Sequence, residues 1–123
     1  MCKLMFPKEG NRKKRRRKKR SILQKKDGTC FLCACLHGDC RPKQLEEHHV
    51  FYGQNREASD REGLTVYLCH SHHQYAYDGN IEAIHGNPKS QDTDIFLKKI
   101  AQREYELTHT REEFVRLIGR NYL

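Results

Sequence analysis

The sequence predicts a small α+β domain, and three observations carry that prediction. Strand-type and helix-type segments follow one another in the order β, β, α, with two more helices behind them. Two half-sites of metal-ligand type, Cys30-x-x-Cys33 and Cys69-x-x-His72, stand with 35 residues between them. The 123 residues are only 36% hydrophobic and include no Trp, so the core is thin and calls for a staple.

The chain divides at about residue 26. Residues 1–26 hold 13 Lys/Arg against one acid, and the remaining 97 hold 11 against 15. The formal charge of +8 is therefore a strongly basic tail on an acidic body. Residues 1–10 read as disordered. Nine consecutive cations follow: Arg12, Lys13, Lys14, Arg15, Arg16, Arg17, Lys18, Lys19 and Arg20. Such a run repels itself and reads as frayed, through Ser21–Lys26, until an anionic partner meets it. A solvated tail or a localisation signal is the plainer reading. Nucleic-acid contact is preferred because the rest of the sequence points the same way.

Residues 27–123 read as one domain with a ββα core over about 44–80. Residues 28–43 are expected to be a loop whose tight knuckle carries Cys30 and Cys33. Residues 44–51 form the first strand. Residues 52–63, with their Gly, Asn, Ser and Asp, read as a loop. Leu64–Cys69, β-branched and aromatic, is the second strand. A short helix runs from His70 to Asp78, where Asp78-Gly79-Asn80 stops it. A longer helix covers about 94–107, with Phe96, Leu97, Ile100, Ala101, Tyr105 and Leu107 as its apolar stripe. Thr110-Arg-Glu-Glu113 matches a capping box and opens a last helix over about 111–119.

Six cysteines raise the question of disulfides. Met1–Gly10 has no continuous apolar run of secretory type, and paired thiols at C-x-x-C spacing then more often bind metal. No stretch approaches the roughly 18 apolar residues of a membrane span. The expectation is a cytoplasmic protein. Cys30, Cys33, Cys69 and His72 supply the four ligands of a tetrahedral structural Zn2+. Cys35 and Cys40 are left as spare thiols.

Five of the eight histidines lie between 48 and 73, a clustering that surface histidines do not explain. Neighbours on a strand face opposite ways, so His48 and His49 do not easily share an ion. His73, one residue beyond the zinc ligand His72, points back toward the first strand. His48 and His73 can then hold a second ion, with His85 as third ligand (His70 is the weaker choice) and His49 free as a base. That is the division of labour phosphodiester hydrolysis needs: a divalent ion on the phosphate, and a neutral imidazole to deprotonate water.

The succession Cys30-x-x-Cys33, Glu47-His48-His49-Val50 and Gly63-Leu-Thr-Val-Tyr-Leu-Cys69-x-x-His72-His73 resembles the HNH endonucleases, the ββα-metal group with a treble-clef-like zinc core. More narrowly it is similar to the small phage and prophage members. The resemblance covers residues 28–86. It implies His49 as general base, His48 and His73 as ligands of a catalytic Mg2+, Mn2+, Ni2+ or Zn2+, and DNA as substrate. The family's middle Asn is absent near Leu64. Asn55, earlier in the same loop, is the candidate to pin that loop or orient His49. The position four after His73 is Tyr77, which turns attention to His85.

The expected function is a metal-dependent DNA endonuclease, host-cell cytoplasmic and phage- or prophage-encoded, with charge-driven, salt-sensitive binding through the tail. The alternatives are a non-catalytic zinc-knuckle protein that binds nucleic acid, and an accessory nuclease for recombination or packaging that is active only with a partner. A pure zinc module has no use for the second histidine set.

Overall fold

The computed structural model describes residues 19–89 and 91–123. Two short strands, β1 (Leu45–His49) and β2 (Thr65–Cys69), pair antiparallel, with His48 opposite Val66 and Glu46 opposite Leu68. Those four share one face, and His48, Val66 and Leu68 are buried on it. Thr65 is buried as well, because residues 19–24 run beside β2. The Ser21 hydroxyl donates to the Thr65 carbonyl, and the Ile22 N–H to the Gly63 carbonyl. Gln24 Oε1 accepts the Tyr67 N–H at 2.8 Å. These bonds close an edge that would otherwise be open to another strand.

The docking of 19–24 differs from the frayed segment expected from sequence. Its cause is tertiary: Ile22 and Leu23 pack against the core while the backbone bonds along the edge of β2. The rest of the basic run, Arg12–Lys18, and the segment 1–10 lie outside the described residues.

Two helices replace expected loops. α1 (Phe31–His37) starts at Cys30, whose sulfur accepts the Cys33 N–H as an N-cap, and stops at Gly38 in the left-handed conformation. The C-x-x-C turn is thus the first turn of a helix. α2 (Arg56–Glu62) follows a 3-10 turn, Gly53–Asn55. Ser59 and Asp60 suggested a loop, but the buried Ser59 hydroxyl donates to the Phe51 carbonyl at 2.8 Å and accepts its N–H at 3.2 Å. Tertiary bonding overrides the local preference. Gly63 ends α2 at φ +74°, and a side chain there would strike the Arg20 carbonyl and Ile22.

The helix after β2, α3 (His70–His73), is a single turn and ends five residues before Asp78. Gln74 is already extended and bridges in parallel to His85. The chain has a better use for those backbone groups than a helix: His73 and His72 carbonyls accept the N–H of His85 and Ile84, and the His85 carbonyl accepts Tyr75 N–H.

α4 (Gln91–Tyr105) and α5 (Arg111–Ile118) complete an α+β fold. The Thr110–Glu113 capping box is present in both directions. The stripe on α4 is narrower than expected. Leu97, Ala101 and Tyr105 are buried, whereas Phe96 is half-exposed and Leu107 lies beyond the helix, 74% exposed. Phe114 of α5 packs edge-on against Phe51 and Tyr105. Among the described residues no helix is long and apolar enough to cross a membrane.

Candidate metal centre

Cys30 and Cys33 at the start of α1, Cys69 at the end of β2 and His72 in α3 converge close enough to hold a metal ion. His72 Nδ1 lies 3.5, 3.5 and 3.4 Å from the sulfurs of Cys30, Cys33 and Cys69, and Cys33 Sγ lies 3.8 Å from Cys69 Sγ. A tetrahedral ion with zinc-like bonds would set sulfur–sulfur edges of about 3.8 Å and nitrogen–sulfur edges of about 3.6 Å. The donor set fits such an ion.

Electrostatics point the same way. Burial works to raise the Cys30 thiol, yet hydrogen bonds with His72 and with the backbone of Cys69 and Cys33 bring it down to about 6. The bond to Cys30 is the main cause that raises His72 to about 9, with Glu82 adding to it. Burial, then Cys30 and Cys69, pushes Cys33 up to about 12. Crowded sulfurs that resist sharing negative charge are relieved by a cation between them. Glu82 Oε1 lies 2.8 Å from His72 Nε2, on the far side of the ring, where a carboxylate fixes the tautomer of a ligating histidine. Glu82 also reaches His37 Nε2 at 2.8 Å; that trio shares His72 with the first site. Cys35 and Cys40 are exposed and outside the cluster.

His48, His73 and His85 form a second group close enough to hold an ion. Their ring centroids stand 5.0–5.2 Å apart. Each arrives by a different route: His48 on the inward face of β1, His73 at the end of α3, and His85 through the parallel bridge to Gln74. His48 is 1% exposed, and neither of its ring nitrogens has a hydrogen-bond partner among the described residues. A buried imidazole with both nitrogens orphaned is costly unless something else satisfies one of them. Burial, then the neighbouring His73 and His85, pushes His48 down to about 2, so it stays neutral and keeps a lone pair to give. His73 Nδ1 is held by Glu46 Oε1 at 2.8 Å, which leaves Nε2 for the centre of the trio. The other Glu46 oxygen holds the exposed His70, which stays outside the group.

An open cleft of about 460 Å³ lies over this trio, and His49, Glu47, Tyr52 and Arg56 also line it. His49 is on the cleft but outside the trio, as strand alternation requires. Its Nε2 lies 2.7 Å from Asp60 Oδ1.

Of the two roles expected of Asn55, the contact seen is the pinning one: its Nδ2 donates to the Ile118 carbonyl at 3.1 Å and fastens the 3-10 turn to the end of α5. Tyr77 is 61% exposed and takes no part. Sequence reasoning missed Asp60, Glu46 and Glu82. Nothing local separates them from the chain's other acids, and Asp60 was hidden further by reading α2 as a loop. It also missed Tyr52, whose ring stands 5.0 Å from His85 and whose hydroxyl donates to Asp94. In comparisons with known proteins, no family model, no curated protein and no solved structure matches the chain.

Proposed function

We propose that the protein is a metal-dependent DNA endonuclease of HNH type, with a zinc-stapled, treble-clef-like ββα core. The observation that carries this reading is the three-histidine group, with His48 buried, opening on the same cleft as His49. A structural zinc module needs one ligand set; this chain brings together two, with a spare histidine beside the second.

Cys30, Cys33, Cys69 and His72 hold the structural Zn2+. His48, His73 and His85 hold the catalytic ion. A divalent ion there supplies Lewis-acid stabilisation of the scissile phosphate and of the departing oxygen. His49 takes the proton of the attacking water. Arg56, on the cleft wall, offers a cation to the phosphate backbone. The basic run joins the domain beside this cleft, since the Lys19 N–H donates to the carbonyl of Asp60, the residue that also holds His49. A polyanion gathered by that run is thereby delivered next to the histidines, with affinity that falls as salt rises.

Supercoiled plasmid tests the reading. Zinc-loaded protein with added Mn2+ or Mg2+ should convert it to nicked circles, and a chelator should stop the conversion. Binding without cleavage under every divalent ion would support a non-catalytic zinc-knuckle protein instead.

A further inference from the structure

We propose that Asp60 is the positioning residue of His49: it holds the imidazole as the Nε2–H tautomer and leaves Nδ1 for the water in the cleft. The inference rests on reading His49 as the base, and it assigns the orienting of that base to Asp60, while Asn55 fastens the loop.

The contact is short, 2.7 Å from His49 Nε2 to Asp60 Oδ1, and the His49 side chain is only 11% exposed. A carboxylate accepts hydrogen bonds and has none to give, so the nitrogen facing it carries the hydrogen and the other nitrogen keeps the lone pair. Two residues cannot hold a tautomer unless both are fixed, and both are. His49 ends β1, paired with Thr65. Asp60 follows Ser59, whose buried hydroxyl exchanges two bonds with Phe51 and whose carbonyl accepts the Leu64 N–H at 2.9 Å. Asp60's own carbonyl accepts the Lys19 N–H at 3.0 Å. The helix that carries the carboxylate is thus clamped to the hairpin from both sides.

An Asp60 of merely structural value would show itself in stability, yet its side chain is 35% exposed, and pairs of that kind add little to folding. Its effect is expected in the tautomer and in turnover.

Imidazole 15N correlation spectra of the zinc-loaded wild type should show His49 as Nε2–H, and Asp60→Ala should mix the two tautomers. In plasmid nicking, Asp60→Ala should lower kcat about tenfold or more with little change in KM, a fraction of the roughly 10²–10⁴ that a positioned base supplies. Wild-type His49 found as Nδ1–H overturns the proposal without need of any variant. An Asp60→Ala protein with unchanged tautomer and unchanged kcat overturns it equally. A wild type that nicks nothing under any divalent ion overturns the nuclease reading itself. A wild type that nicks no faster than Asp60→Ala overturns only the assignment of Asp60.

Discussion

Cys33→Ser should leave the chain without a cooperative thermal transition, or with one lowered by about 15–30 °C if the loss is about 4 kcal/mol. Cys33 is buried where α1, β2 and α3 meet, and it lies against both Cys69 Sγ and His72 Nδ1. Cys33 shares its buried cluster with Leu32 and Leu68, so an ion held there would tie three elements to the core. A structural zinc contributes an apparent 10–16 kcal/mol or so, which matches or exceeds the roughly 5–15 kcal/mol by which whole domains are stable. A serine in place of one thiolate removes a strong ligand and leaves the remaining sulfurs crowded. Cys35→Ser is the matched control, because Cys35 is exposed and outside the cluster. Bound zinc and melting temperature, measured on both variants, check the expectation. A Cys33→Ser protein that keeps its zinc and melts like wild type would refute it.

The second large effect is on catalysis. His49→Ala should keep the fold and the metal content but reduce nicking by roughly 10²–10⁴. His49 belongs to neither ligand group, and its side chain sits at the cleft wall, so its loss opens space without stranding a ligand. The Asp60 carboxylate that holds its ring is 35% exposed, so water can reach it once the imidazole is gone. Single-turnover rates on plasmid, beside zinc content and a melting curve, separate a lost base from a lost fold. Undiminished cleavage would take the base role away from His49.

The candidate ligand residues are legible in the sequence because metal chemistry leaves a local signature. Two ligands on one turn need C-x-x-C or C-x-x-H spacing, and adjacent His72 and His73 must diverge. Strand alternation likewise sets His48 and His49 on opposite faces of β1. The capping box at Thr110 and Glu113 is legible for the same reason: its bonds are made within four residues. What is not legible depends on distant contacts. α2 forms because Ser59 bonds to Phe51 across the turn. α3 ends early because His85 returns to pair with its backbone. Residues 19–24 dock because β2 has an open edge. The carboxylates Glu46, Glu82 and Asp60 likewise meet His73, His72 and His49 only through tertiary contacts.

One ion is proposed to hold the fold while a second, bound by different histidines, serves the cleft. Metal counting joined to nicking on His73→Ala tests it most directly. His73 belongs to the second group, and its neighbour His72 to the first. In excess divalent ion, wild type should hold two ions per chain and nick plasmid. His73→Ala should hold one, melt close to wild type and fail to nick. A His73→Ala protein that nicks at the wild-type rate, or that loses its zinc and unfolds, would contradict the division into two sites.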